Sequence, residues 1–165
     1  MNWIVRGCWL VLLAALLWLG WWTFFPSDER RIRSLLNDMA QTVSVPAEGK
    51  FVGGVLAADR LKGYFTPEVE VAVDVPGEAR FNMTGREELM QAYLVARANY
   101  RGLKVEFFDP QVVVAPDHQS AVVDLTARAK RTTGELQVQE LRMNLTRTDN
   151  GWRVRRVETT RSIKF

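Results

Sequence analysis

The chain has 165 residues and a formal net charge of +3. Residues 27–165 carry 21 basic and 19 acidic side chains, a balance that argues against a general nucleic-acid binder. Their number suffices for one domain with a single core, and the only cysteine, Cys8, excludes an internal disulfide.

An apolar segment comes first, because residues 7–26 contain no charged side chain. As a helix this stretch would be about 30 Å long, the thickness of the hydrocarbon core of a bilayer. Five of the six tryptophans lie in or beside it. A cleaved signal peptide would need an Ala-x-Ala-like site, which the end of the run does not offer, and a buried soluble helix is the other alternative. We expect an uncleaved single-span anchor in residues 1–26 and a separate domain in residues 27–165.

The side of the membrane on which the domain lies stays open at this point. One arginine precedes the span and three follow it within residues 30–33, which favours a cytoplasmic domain. Long domains translocate with little regard to that bias, however. We expect a single-pass membrane protein whose domain is extracytoplasmic, and periplasmic in a bacterium.

Three helices are predicted in the domain. Ser27 and Asp28 can cap the first helix, and Pro46 ends it. Its apolar residues recur at three- and four-residue spacing and form one stripe, which comprises Ile32, Leu35, Leu36, Met39, Ala40 and Val43. A second, short helix lies within residues 50–65. Thr84 and Glu87 fit a capping box that starts the third helix, which ends near residue 102.

Five strands are predicted. The first follows Pro67, where valines alternate with other residues over positions 69–75, and it ends at a Pro76-Gly77 turn. The remaining four occupy residues 103–115, 120–131, 136–148 and 152–163. Asp149-Asn150-Gly151 is a strong hairpin signal between the last two.

This order of elements resembles the superfamily of nuclear transport factor 2, ketosteroid isomerase and the polyketide-cyclase-like, or SnoaL-like, proteins. The residues that carry the resemblance lie in 64–71 (Tyr-Phe-Thr-Pro-Glu-Val-Glu-Val), in the helix start at 84–89 and in the hairpin over 141–154. It covers roughly residues 28–163. The resemblance implies an α+β cone, in which a strongly curved, mostly antiparallel sheet wraps round helices and leaves a pocket between the long helix and the sheet. Here one transmembrane helix would precede the cone.

The resemblance also suggests catalytic positions. In ketosteroid isomerases a carboxylate base ends the first strand, where this chain has Asp74. Tyr64 and Tyr93 are the candidate phenols, but the later strand has Met143 and no carboxylic acid near the expected place. A cyclisation or dehydration would need a histidine–aspartate pair, and the only histidine, His118, is predicted in a turn away from the pocket.

Two functions of different classes stay open. The first is a membrane-anchored binding or assembly module without catalysis, whose sheet docks a protein partner or a second copy, with contributions from Arg142, Arg153, Arg155 and Arg156. The second is a small-molecule isomerase, cyclase or dehydratase-type enzyme, or a carrier, that uses the pocket with Asp74 as its base. In either case Trp152 and Met143 could contact a small apolar ligand. No metal-ligand cluster, phosphate loop or nucleophile triad can be assembled, so we predict no cofactor, no metal and no nucleic-acid partner.

Overall fold

The structure is a computed structural model that describes residues 27–46, 51–74, 80–100, 102–134 and 136–163. It contains three helices, α1 (Asp28–Val43), α2 (Phe51–Tyr64) and α3 (Arg86–Asn99). It contains six strands, β1 (Phe65–Asp74), β2 (Arg80–Thr84), β3 (Lys104–Val114), β4 (Ser120–Lys130), β5 (Leu136–Thr148) and β6 (Gly151–Ile163).

The six strands form one mixed sheet in the order β2-β1-β6-β5-β4-β3. The β1–β6 pair is parallel, and the other four pairs are antiparallel. Irregularities interrupt the register in the β1–β6, β3–β4 and β5–β6 pairs, and such bulges bend strands and increase their twist. The result confirms the predicted α+β cone with a curved, mostly antiparallel sheet.

The core lies between the helices and the concave face of the sheet. The predicted stripe on α1 faces this core, with Ile32 and Leu36 almost completely buried. Alternate residues of the strands, such as Val69, Val123 and Val154, approach from the sheet side and are fully buried. The apolar residues that recur every three or four positions on α1 and every second position on the strands therefore pack together in one apolar layer.

The start of α3 corrects the predicted capping box. Thr84 is the last residue of β2, a strand that the sequence pattern does not reveal, and Gly85 occupies the N-cap position with φ of 93°. Without a side chain, Gly85 cannot cap the helix. Instead, the Glu88 carboxylate accepts a hydrogen bond from the backbone N–H of Thr84 at 2.8 Å. Since β2 pairs with β1, Thr84 is held in the extended conformation by the sheet.

The predicted anchor, residues 1–26, and the predicted Pro76-Gly77 turn lie outside the described residues. Within the described ranges, no helix is both long enough and apolar enough to cross a bilayer.

Asp28, in the first turn of α1, joins this helix to two hairpins of the sheet. Its Oδ1 accepts hydrogen bonds from Arg147 Nη1 at 2.9 Å and Trp152 Nε1 at 3.3 Å, and its Oδ2 lies 2.8 Å from His118 Nδ1. The side chain is only 15% exposed. Burial by itself raises the pKa of Asp28, but the hydrogen bonds from His118 and Trp152 and the charge of Arg147 outweigh burial and lower it below 3.8. The ionised carboxylate is therefore part of the folded structure.

The variant Asp28→Asn tests this contact, because it keeps the size of the side chain and removes the charge. We expect the free energy of unfolding at pH 7 to fall by about 1.5–3 kcal/mol, measured by urea unfolding of the full chain in detergent micelles. The folded-state pKa of Asp28 is lowered, so its contribution is complete above the unfolded value and is lost as the pH falls through the folded value. The difference between the two proteins should therefore shrink below pH 3.8.

Glu29→Gln is the matched control in the same helical turn. Glu29 pairs with Arg33 at 2.9 Å, but both side chains are 42–50% exposed. We expect this change to cost less than about 0.5 kcal/mol. Equal losses in the two variants would mean that Asp28 acts only through the helix dipole and not through its contacts with the hairpins.

Candidate functional site

Two of the predicted catalytic residues, Tyr64 and Tyr93, meet at the C-terminal end of α1. The Tyr93 hydroxyl donates to the backbone carbonyl of Thr42 at 3.0 Å and accepts from Arg97 Nη1 at 2.8 Å. The Tyr64 hydroxyl lies 3.3 Å from Thr42 Oγ1. These contacts link the three helices to one another, and the buried Tyr93 hydroxyl is engaged both as donor and as acceptor.

Asp74, the predicted base, lies at the other end of β1 from Tyr64. The strand has ten residues, which span about 30 Å at roughly 3.3 Å per residue. The backbone N–H of Asp74 donates to Thr159 Oγ1 at 3.1 Å, and its carbonyl accepts from Gln139 Nε2 at 2.7 Å. The structure therefore brings the two tyrosines together and leaves Asp74 apart from them. Among the described residues, no three His, Cys, Asp or Glu side chains are grouped so as to hold a metal ion.

Large side chains fill the interior of the cone. Met143 is 2% exposed, Trp152 is 5% exposed, and both belong to the same core cluster as Met90. The indole N–H of Trp152 donates to Asp28, as described above. Met143 and Trp152, predicted as ligand contacts, thus pack against other side chains of the domain.

The predicted basic surface is largely neutralised by acidic neighbours. Arg142 forms a bidentate pair with Asp124, with N···O distances of 2.8 and 3.2 Å. Arg156 lies between two glutamates, each at 3.3 Å. Arg153 is half-buried, and its Nε has no hydrogen-bond partner among the described residues. Arg155 is exposed. Of the arginines predicted to bind a partner, Arg153 and Arg155 are therefore the two without an acidic partner in the described part of the chain.

A cleft opens between α3 and the sheet, where β4 ends and β5 begins; we call it the wide-end cleft. Its volume of about 480 Å³ lies in the range typical of small-molecule sites. The apolar part of its lining consists of Phe81, Met83, Ala92, Val95, Ala96, Leu103 and Ala129. The polar part consists of Asn99, Tyr100, Arg131 and Gln137.

The polar end of the wide-end cleft contains the side chain of Arg131. The Arg131 guanidinium lies over the ring of Tyr100, 4.3 Å from its centroid, as in a cation–π contact. No carboxylate is among the described lining residues. Sequence reasoning missed this cleft, because its walls come from separate segments of the chain and one of them is the unpredicted strand β2.

A second, more polar cavity of about 660 Å³ lies between α1 and α2. Its lining includes Tyr64, Arg60 and Arg97 and continues to Pro46. Residues 47–50, which follow Pro46, lie outside the described residues. Because ligand sites are lined mainly by apolar side chains, the more apolar wide-end cleft is the better candidate for a ligand site.

The family model for the SnoaL-like domain matches residues 56–158, more than half of the chain. The chain belongs to the SnoaL-like domain family. The match extends from α2 into β6, so every residue that lines the wide-end cleft lies inside the SnoaL-like domain. This confirms the superfamily that the sequence resembles. A comparison with curated proteins finds no match.

Solved structures share the fold of this SnoaL-like domain at low sequence identity. An NTF2-like protein with a cystatin-like fold from Novosphingobium aromaticivorans is 22% identical, with a TM-score of 0.59 over 89% of this chain and 86% of that one. A scytalone dehydratase-like protein from the same species is 16% identical, with a TM-score of 0.58 over 84% and 87%. The yeast UBP3-associated protein BRE5 is 14% identical, with a TM-score of 0.65 over 86% and 100%.

The contacts of the two tyrosines predict a difference in stability between their phenylalanine variants. Tyr93→Phe removes the hydrogen bonds of the Tyr93 hydroxyl to the Thr42 carbonyl and to Arg97 Nη1, and we expect it to lower the free energy of unfolding by about 1–3 kcal/mol. Tyr64→Phe removes one longer contact and should cost less than about 1 kcal/mol. Urea unfolding of the full chain measures both values. An unaffected Tyr93→Phe variant would show that the hydroxyl does not hold the helices together.

Proposed function

We propose that this SnoaL-like domain is a non-catalytic binding module, held at a membrane by residues 7–26, and that its ligand occupies the wide-end cleft. One observation carries the proposal: none of Asp74, Tyr64 and Tyr93 lines this cleft. The apolar cleft and the groups suited to proton transfer therefore lie in different places, since Tyr64 lines the more polar cavity between α1 and α2. Binding without catalysis needs only the cavity.

The membrane part of the proposal rests on the uncharged stretch 7–26 and on the position of α1. Because α1 begins at Asp28, no flexible linker separates the stretch from the domain. The 16 residues of α1 span about 24 Å. Beyond the helix, the N–H of Val45 donates to the carbonyl of Leu103, a lining residue, at 2.7 Å. The cleft thus lies about a helix length from residue 27. An extracytoplasmic location of the domain is part of the same proposal.

The competing function is an enzyme with Asp74 as its base and a tyrosine as its polar partner. It requires one substrate to reach both groups, which lie at opposite ends of β1. The scytalone dehydratase-like structure shares the fold, and one fold supports many unrelated activities. The shared fold therefore does not favour the enzyme over the binding module. A protein partner or a second copy bound through Arg153 and Arg155 stays a prediction.

Filling the cleft tests the proposed site. We expect the full chain, extracted from its native membrane, to carry a bound small molecule that native mass spectrometry detects. Ala96→Trp places a large side chain in the cleft and should abolish that adduct. Ala98→Trp is the matched control, since Ala98 is exposed on the same helix outside the cleft. Retention of the adduct in Ala96→Trp, or an unliganded wild-type chain, would contradict the proposal.

Asp74→Asn separates binding from catalysis in the same measurement. A binding module should retain the same bound molecule, with an unchanged mass, in the variant. An enzyme that loses its base should instead accumulate unreacted substrate. For a dehydratase the mass of the adduct then changes, and for an isomerase or cyclase the mass stays the same while the chromatographic retention of the released ligand changes. A change in either quantity in Asp74→Asn, together with no change in Ala98→Trp, would support the enzyme.

A further inference from the structure

We infer that Arg153 is the centre of an oxyanion-binding site on the convex face of the sheet, and that this site takes a carboxylate or a phosphate group. The inference goes beyond the proposed function, because it concerns the face of the sheet opposite to the wide-end cleft. It follows from three features: the position of Arg153 beside two hydroxyl groups, the unpaired state of its guanidinium, and the lack of a neutralising carboxylate.

The strand register places Arg153 on the convex face. Its neighbour Val154 is fully buried in the core, and successive residues of a strand point to opposite faces. Arg153 lies opposite Thr146 on β5, and Thr146 in turn lies opposite Ser120 on β4. A guanidinium and two hydroxyl groups therefore follow one another in a row across three strands.

The guanidinium of Arg153 is half-buried and yet unpaired. Its Nε is buried without a hydrogen-bond partner, and no hydrogen bond or ion pair of the described residues involves its two Nη atoms. Nε is the one nitrogen of this group that is both buried and unpartnered, so the Nη atoms are open to a ligand. A shielded donor without a partner costs free energy, and charge-assisted bonds from the Nη atoms to an oxyanion would offset part of that cost.

No carboxylate in the described part of the chain neutralises Arg153. Glu70, on the neighbouring strand β1, pairs with Arg156 instead, at 3.3 Å. Residues 7–26, which lead into α1 at this end of the sheet, contain no charged side chain. Three acidic residues outside the described ranges belong to loops whose flanking residues lie at the opposite end of the strands, and these are Glu48, Glu78 and Glu135.

The chemistry of the row selects an oxyanion as the ligand. The edge of a guanidinium presents two parallel N–H groups, which match two oxygens of a carboxylate or a phosphate. A hydroxyl can donate to a further oxygen. Thr146 Oγ1 makes only a long contact of 3.4 Å with the Gln119 carbonyl, so this hydroxyl can turn towards a ligand. Arg155 is exposed two residues along β6 and adds a second positive charge.

Anion titrations followed by NMR test the inference on the full chain in dodecyl maltoside micelles, a detergent without charge or phosphate. Sodium phosphate and sodium acetate each replace sodium chloride at constant ionic strength. The reporters are the Nε–H signal of Arg153 and the backbone amides of Thr146 and Val154. We expect a saturable shift with a dissociation constant of about 10 mM for at least one anion. The anion that binds identifies the group, and a response to neither at about tenfold higher concentration would overturn the inference.

Arg155→Gln is the matched control, because it removes the same charge from an exposed side chain close by. Arg153→Gln should weaken binding, measured at the two backbone amides, by about tenfold or more. Arg155→Gln should weaken it by less than about threefold. Arg153→Lys keeps the charge but lacks the paired N–H edge, and it should bind nearly as weakly as Arg153→Gln. Equal losses in the two Gln variants, or full binding by Arg153→Lys, would show a general charge effect and overturn the assignment.

Two further arms separate this site from the cleft and from the membrane. Ala96→Trp, which fills the wide-end cleft, should leave the anion shifts unchanged. Loss of the shifts in this variant would place the anion in the cleft and overturn the inference, whereas an empty cleft would contradict the proposed function alone. Phosphatidylglycerol added to the micelles tests the source of the group. Shifts of the same signals would identify a lipid phosphate, and unchanged signals would identify a water-soluble anion.

Discussion

The parallel pairing of β1 with β6 joins the two halves of the sheet. It places residues 65–72 beside residues 154–158, although more than 80 positions separate them in the chain. Without this pair, β1 and β2 would form an isolated hairpin, which is marginally stable in water, and the other four strands would form a separate meander. The pair makes β1 a central strand, and an extended central strand keeps its two ends apart. Tyr64 and Asp74 are separated for this reason.

Close packing of the concave face then decides where a ligand can bind. Helix α1 covers the sheet with its apolar stripe, and Met143 and Trp152 fill the space that remains in the interior. Protein interiors pack at high density, so these large side chains exclude a ligand from the centre of the cone. The wide-end cleft lies outside this packed centre, between α3 and the last residues of β4. Small residues such as Ala92, Ala96 and Ala129 leave this space open.

The partners of several charged residues are likewise set by contacts between segments that are distant in the sequence. Arg142 is predicted to bind a partner, but the strand register sets it opposite Asp124 on β4, with which it forms an ion pair. Asp28 likewise receives His118, Arg147 and Trp152 from two distant hairpins. A count of charges along the chain could not reveal these pairs, because it contains no information on which strands are neighbours. Partner binding through Arg153 and Arg155, which have no acidic partner in the described part of the chain, stays a prediction.

The sequence by itself determined the elements whose signals are local. The stripe on α1, the Ser27 cap, the strand over residues 136–148 and the turn at Asn150 and Gly151 all follow from spacing within a few residues, and the structure confirms them. Only the tertiary structure decided the strand β2, the capping at Thr84, the contacts of Asp28 and the wide-end cleft. Each of these depends on which distant segments the sheet brings together. Periodicity reports the face that a residue presents, whereas the register between strands selects the partner that it meets.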